Sequence, residues 1–305
     1  MIDIAIMIEG QNGLNWARWK RMAKAVEDLG FYGLYRSDHF TNAKPPDLDS
    51  LELWVSLTWL ASHTQRIRFG PLVTPFSFRN PIITARMAKD VDDLSGSRLV
   101  LGLGAGWQER EHALFGFDLL DSEQRFDRMQ EGVEVVTRLL QSDDPVQFFG
   151  DYYRVQEGIL LPRPQRAGGP PILIGGNGPN RTLPLAAQYA NEWNAIYLSP
   201  AAFSERNQRL NDLLAEKGRE PAQVARSMMT RVIMAEDQAS LDRVLQPTGR
   251  TKQEWNELGA IVGATSEVQD QMGALQEAGV QRLMLQWLDL DDLIGLEALA
   301  KGLLA

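Results

Sequence analysis

The chain contains no cysteine and only three histidines among its 305 residues. Without cysteine there can be no disulfide scaffold, no thiolate metal site and no cysteine nucleophile. Three scattered histidines, with no HExxH spacing and no EF-hand loop, do not suggest a metal centre, and no metal is assigned. A GxSxG elbow is also missing, which removes the signature of a serine hydrolase. Positive charge is scarce: 31 Lys and Arg stand against 40 Asp and Glu, a formal charge of −9. That argues against a nucleic-acid partner, because phosphate binding calls for net positive surface. No apolar run reaches the roughly 18 to 20 residues of a membrane helix. The opening MIDIAIMIEG has an acid and alternating apolar residues where a signal peptide has a basic stretch. The remaining composition, 44% hydrophobic and 23% charged, is that of an ordinary globular protein. A soluble cytoplasmic protein is expected, with no membrane and no nucleic-acid partner.

The period of the apolar residues gives the organisation. Residues 2–8 are short and β-branched and read as a buried strand. Trp16, Trp19, Met22, Ala23, Val26 and Leu29 recur every three to four residues, an amphipathic helix closed by Gly30. The alternation continues with strands at 31–37, 66–74, 98–103, 170–175, 192–197, 227–235 and 281–287. Helices are expected at 49–62, 81–94, 122–141, 179–190, 201–217 and 291–304, with a broken helical region across 238–277. Alternating strand and helix means a parallel sheet with covering helices, and eight units over this length fit a (β/α)8 barrel. The segment 143–169, with VQFFGDYYRV and a Pro/Gly-rich stretch, reads as an inserted β-hairpin serving as a lid. With no linker or low-complexity tract, residues 1–305 are expected to form one domain.

In such a barrel the active site lies at the strand C-terminal ends, so the residues that follow each strand become candidates. After strand one, Glu9-Gly10-Gln11-Asn12 offers a carboxylate and amides, for a pocket or for solvent. After strand two stand Ser37, Asp38, His39 and Phe40; a histidine can exchange a proton near neutrality, and an adjacent acid sets its charge. His63 lies at a helix end and His112 in a helical segment after strand four. Pro71-Leu72-Val73-Thr74-Pro75 implies a bulge or kink. Gly102, Gly104 and Gly106 suit either close approach to a flat ligand or tight strand–helix packing, and the pattern is not GxGxxG because Trp107 takes the last place. The most informative stretch is Gly175-Gly176-Asn177-Gly178-Pro179-Asn180-Arg181-Thr182, leading into a helix. Free N–H groups at a helix start, glycines and Arg181 make an anion cradle. A dinucleotide site is not supported, since the next strand opens with its acid, Glu192. The acidic run Asp90, Asp92, Asp93 reads as a solvated helix end.

Taken together, SDHF at 37–40, RIRFGPLVTPFSFRNP, DDLSGSRLVLGLGAGWQERE and PPILIGGNGPNRTL followed by ANEWN resemble, in order and spacing, the luciferase-like flavin and deazaflavin oxidoreductases. The branch that uses the deazaflavin coenzyme F420 is the most similar. GATSEVQDQMGALQEAGVQRLMLQW at 263–287 is similar to that family's last βα unit. The resemblance implies the same (β/α)8 barrel, with coenzyme F420 at the strand ends and FMN as the alternative cofactor. It implies His39 as proton donor or acceptor. It places Asp38, Leu72, Val73, Thr74, Gly104, Ala105, Gly106, Gly175, Gly176, Asn177, Gly178, Arg181 and Thr182 around the cofactor. Leu72-Val73 corresponds to a bulge, often with a cis peptide. Glu9, Phe40, Trp107, Glu111 and Trp193 are expected in the substrate pocket. Trp107 stands where sugar-phosphate oxidising relatives carry a carboxylate, so that activity is not expected; Glu109 and Glu111 lie a step or two along the helix. The implied reaction is hydride transfer between the deazaflavin and a small carbonyl, imine, enone or alcohol. An FMN-dependent monooxygenase on the same barrel is the alternative. A homodimer is expected from the resemblance.

Overall fold

A computed structural model describes residues 2–304. The chain begins β1 (Asp3–Ile8), α1 (Trp16–Asp28), β2 (Gly33–Arg36), α2 (Leu53–His63), β3 (Arg68–Pro71), β4 (Thr74–Pro75), α3 (Pro81–Ser95), β5 (Leu101–Gly104), α4 (Glu109–Phe115) and α5 (Ser122–Gln141). A hairpin, β6 (Val146–Phe149) and β7 (Arg154–Gly158), interrupts the alternation. Then come β8 (Ile172–Gly175), α6 (Thr182–Tyr189), β9 (Glu192–Ile196), α7 (Pro200–Glu216), β10 (Ala225–Ala235), α8 (Gln238–Leu245) and α9 (Lys252–Glu257). The last elements are β11 (Ile261–Ala264), α10 (Thr265–Glu277), β12 (Arg282–Gln286) and α11 (Leu293–Leu303).

The strands lie in the order β3-β2-β1-β12-β10-β9-β8-β5-β4. β3 and β4 are two halves of one stave, separated by the cis Leu72–Val73 peptide. Backbone bonds from Phe69 to Arg98 and from Val100 to Phe69 close the ring. The result is the (β/α)8 barrel expected from the alternation. Because side chains alternate across a strand, each stave feeds two cores. Ala5, Met7, Tyr35, Val100, Leu173 and Met284 fill the barrel interior. Their neighbours, including Ile4, Ile6, Leu34, Leu101, Ile172 and Trp193, pack outward under the helices.

The floor of the barrel is polar. Arg282 reaches Glu192 at 2.5 Å and the Tyr32 hydroxyl at 2.7 Å, so the acid that opens β9 is spent on a structural ion pair. Helix C-termini also point to this end, and their free carbonyls carry partial negative charge. Arginines meet them: Arg66 donates to Glu27 O and Phe31 O, Arg98 to Ala61 O and Thr64 O, Arg163 to Leu139 O and Leu140 O, and Arg219 to Ala187 O and Ala190 O. Five arginines are therefore committed to this end, and helix N-termini are left at the other.

Two features depart from the sequence reading. The region 238–277 is not all helical: β11 pairs in parallel with Val232–Ala235 of the eleven-residue β10. IVGA is too short to declare itself; it forms a strand because β10 runs beyond the barrel and needs a partner there. The acidic run is not simply solvated. Asp92 is 1% exposed, where Leu99 N–H and Arg166 bond to it, while Asp93 accepts from Gln165 N. The inserted segment thus ends anchored beside α3. Its hairpin is seated on α5, where Glu131 accepts the N–H groups of Asp151, Tyr152 and Tyr153.

Candidate active site

The site is built where β1, β2, β4, β5, β8, β9 and β12 end. His39 follows β2, and its Nδ1 lies 3.1 and 3.3 Å from the two carboxylate oxygens of Glu111, on α4. One of those oxygens also accepts Phe40 N–H at 2.5 Å. Glu111 is fully buried, while the His39 side chain keeps 16% exposure. A carboxylate against Nδ1 makes Nδ1 the protonated nitrogen. No group among the described residues bonds Nε2, which makes it the nitrogen able to exchange a proton with a ligand. Burial lowers the pKa of His39, but the hydrogen bond and charge of Glu111, joined by Glu9 and Asp38, more than offset it. The net result is a raised pKa. Gln108 flanks the ring, with Nε2 at 3.3 Å from Nδ1 and 3.0 Å from Thr41 O, and the edge of Trp107 approaches it.

Asp38 is oriented away from free solvent. Thr74 Oγ1 donates to it at 2.6 Å and Arg79 grips both its oxygens at 2.9 and 2.7 Å. Arg79 also reaches Glu52. Phe40 lies in an aromatic cluster with Phe78, Phe115 and Phe117. Trp107 is 61% exposed at the rim. Glu109 points to solvent, so the two glutamates of α4 have separate fates.

The glycines split in the same way. A Cβ on Gly104 would meet Val73 Cγ2 at 2.4 Å, and one on Gly175 would meet Val73 Cγ1 at 3.1 Å. These two glycines make room for Val73, whose side chain sits between β5 and β8; Leu72 joins the interior core. Gly106, at φ +86°, lies against Ser77, with Ala105 half-buried beside it. In the β8–α6 loop, Gly176 (φ +127°) and Gly178 rest on the Thr182 hydroxyl. Asn177 bridges to Ile196 through both ends of its amide, and Trp193 Nε1 donates to Gly176 O at 2.8 Å. The loop is therefore fixed by β9 before any ligand arrives. Arg181 occupies the N-cap of α6 and provides no side-chain cap. Its guanidinium is paired with Asp127 and stacked over Phe126. Leu183 N–H is already bonded to Gly178 O and Pro184 has none, so the groups that fit an anion are the N–H groups of the loop at Asn177 and Gly178 and that of Thr182.

Trp193 does not line the pocket. It is wholly buried outside the barrel wall, stacked on Phe203 of α7 at 5.1 Å. Strand parity explains it: Glu192, Asn194 and Ile196 share one face of β9, and Trp193 takes the other. Glu9 is at the mouth as expected, but it is linked into a chain of bonds. Gln286 and Gln11 donate to its two oxygens at 2.7 and 3.0 Å, and Tyr197 donates to Gln286 at 2.6 Å. His112 is buried, with Nδ1 on Gln108 O, and His63 stacks on Trp59.

The sequence pattern of the luciferase-like monooxygenase family matches residues 3–284. The chain belongs to the luciferase-like monooxygenase family. A relative is the 4-hydroxyprotoasukamycin monooxygenase of Streptomyces nodosus subsp. asukaensis, 28% identical over 67% of this chain and 52% of that protein, so the match spans about half of its length. Another is the F420-dependent glucose-6-phosphate dehydrogenase of Kineococcus radiotolerans, 27% identical over 92% of this chain and 81% of that one. An F420-dependent secondary alcohol dehydrogenase, solved with an F420-acetone adduct, has the same fold, with a TM-score of 0.81 at 18% identity over 93% of each chain.

Several mouth residues of this luciferase-like chain escape a reading by motif. Tyr197 directly follows β9 and Gln286 ends β12; the strands expected at 192–197 and 281–287 run over both, so a search of the residues after each strand passes them by. Tyr197 sits at φ +52°, a region that non-glycine residues rarely adopt. Burial pushes its phenol up to about 12, which keeps it a donor. Arg79 lies within RIRFGPLVTPFSFRNP, but nothing local marks its role, because its partner Asp38 is 41 positions away.

Proposed function

We propose that the chain is an oxidoreductase that transfers a hydride between coenzyme F420 and a small organic substrate of the carbonyl, imine, enone or alcohol type. The observation that carries this reading is His39, with Nδ1 held by a wholly buried glutamate and Nε2 left without a protein partner. A donor or acceptor fixed in this way suits the proton that accompanies a hydride at a carbonyl or alcohol. Relatives with F420 in their names along most of the chain support the cofactor.

When bound, coenzyme F420 supplies a ring that accepts or donates a hydride; the protein supplies position and proton. The loop N–H groups of Asn177 and Gly178, with that of Thr182 at the start of α6, would hold the coenzyme phosphate. Asn177, tied to Ile196, keeps that loop in shape. Asp38, locked by Thr74 and Arg79, fixes the backbone next to His39. His39 Nε2 gives or takes the substrate proton, and Glu111 stabilises the charged imidazolium. Trp107 and the Phe40 cluster make the rim apolar. No carboxylate stands at Trp107, so a sugar phosphate lacks an acid there. The apolar groove between α2 and α3, where Val55 and Leu94 are more than half exposed, supports a homodimer.

The test is titration of the purified protein with coenzyme F420 and with FMN, followed by tryptophan fluorescence. Saturable binding of F420, and its turnover with an alcohol or ketone, is the expected result. Tight FMN binding with none for F420 would favour the monooxygenase alternative.

A further inference from the structure

Beside the mouth lies a cavity of about 660 Å³ that the site described above does not use. It exists because β10 outlasts its neighbour. β10 pairs with β12 only as far as Arg231–Gln286, and beyond that β11 covers just one of its edges. The chain after β12 turns away at Trp287, leaving a gap between the free edge of β10, α8 and α11. The volume is that of a small-molecule pocket. Its inner end is shared with the mouth, since Gln286 lines the cavity and also bonds to Glu9 and Tyr197.

Two donors at this end have no hydrogen-bond partner among the described residues. Trp287 lines the cavity, and its indole N–H is buried and unpaired. Arg231, half-buried on β10, makes no ion pair; its guanidinium lies 4.6 Å over the Trp255 ring, with Arg250 stacked on the same ring at 5.0 Å. The charged or ionisable groups around Arg231 are Tyr197 and Arg250, neither of them an acid, and burial lowers its pKa. In a protein of net charge −9, a half-buried guanidinium with no carboxylate partner at the inner end of a cavity is a fit for a ligand anion. The cavity wall also carries Lys301 and three acids, Asp289, Asp292 and the exposed Glu236. Asp292 is occupied capping α11 and Asp289 accepts Asp291 N.

β2, β1, β12 and β10 are consecutive neighbours. At about 4.8 Å per strand interval, the inner end of the cavity lies roughly 10 to 15 Å from the stave that carries His39. We propose that the cavity and Arg231 receive the far end of an elongated substrate: an apolar chain that carries the reacting carbonyl or alcohol near one end and a carboxylate at the other. This rests on the oxidoreductase reading for what happens at His39, but not for the binding itself.

The experiment measures binding of three ketones by calorimetry, with and without saturating coenzyme F420. They are (ω−1)-oxodecanoate, methyl octyl ketone, which has the chain without the acid, and levulinate, which has the acid on a short chain. The oxo fatty acid should bind about tenfold or more tightly than either, as a charge-assisted bond and several buried methylenes together provide. Arg231→Gln should bring it down to the level of the plain ketone and leave the ketone unchanged. Ala298→Trp, at an exposed position on the cavity wall, should weaken both long ligands and spare levulinate. Equal affinities for the three ligands, or an unchanged preference in Arg231→Gln, overturns the proposal. Failure of F420 to bind, with the oxo acid preference intact, removes the cofactor reading and leaves this site standing.

Discussion

Glu111 and His39 are 72 positions apart in sequence, yet the carboxylate of one lies 3.1 Å from the imidazole of the other. The glutamate faces into α4 with no exposure and uses its second oxygen on Phe40 N–H. It therefore does two things: it sets the histidine's tautomer and charge, and it fastens the β2–α2 loop to the next-but-one βα unit.

Removing that charge while keeping the shape separates the two roles. Glu111→Gln should lower the His39 pKa, because the Glu111 bond and charge are the largest influences raising it. Nuclear magnetic resonance titration of the His39 ring should show the drop, and the pH limb of kcat/KM that reports the histidine should move to lower pH with it. An unmoved His39 titration would separate the two residues electrostatically. The native protein holds the extra proton here, so the stabilisation is full below the ordinary histidine range and is lost as pH rises through the raised value. Denaturant unfolding of wild type and Glu111→Gln should accordingly differ more at acidic than at alkaline pH.

His39→Asn keeps a small polar side chain in the loop but cannot exchange a proton. Turnover should fall by roughly two to four orders of magnitude, the usual share of general acid–base catalysis. Cofactor affinity, measured by tryptophan quenching, should change little. Wild-type turnover in the variant would take His39 out of the chemistry.

Asp92 offers a test remote from the site. Burial, only partly offset by Arg166 and the Leu99 N–H, raises its pKa to about 6. The folded state then binds a proton that the unfolded state has already released, so stability should fall as pH climbs from about 4 to 6. Asp92→Asn should flatten that stretch of the stability curve, read as urea midpoints across the window.

Gly104 and Val73 form a packing pair at the mouth. Gly104→Ala would place its Cβ 2.4 Å from Val73 Cγ2, and overpacking of this kind costs about 1 to 3 kcal/mol. Adding Val73→Ala should return most of the loss. Thermal or urea unfolding of the single and double variants checks this, and an absence of rescue would mean that Gly104 serves something other than Val73.

Much of this molecule was legible in one dimension. The period of the apolar residues placed the barrel strands and most of the helices, because each element buries a face of its own and its period is local. Position after a strand was enough to single out His39, Glu9 and the loop from Gly175 to Thr182. Short elements were not legible: IVGA becomes β11 only because β10 extends past the barrel. Buried pairs such as Asp92–Arg166 carried no local signal.

What the tertiary structure alone decided is which residues meet and which way they face. Trp193 was placed at the correct strand but on the wrong side of it, because a shift of one residue in the pleat exchanges the interior for the helix layer. Glu111 looked like a pocket residue until closure of the barrel brought α4 against the loop after β2. Gly104 allowed either room for a ligand or tight packing, and Val73 fills part of that room. Local periodicity depends on neighbours in the chain, whereas parity, pairing and packing depend on how eight staves close into a ring. The sequence therefore determined the fold and the address of the site, and the closed barrel decided the partners of His39.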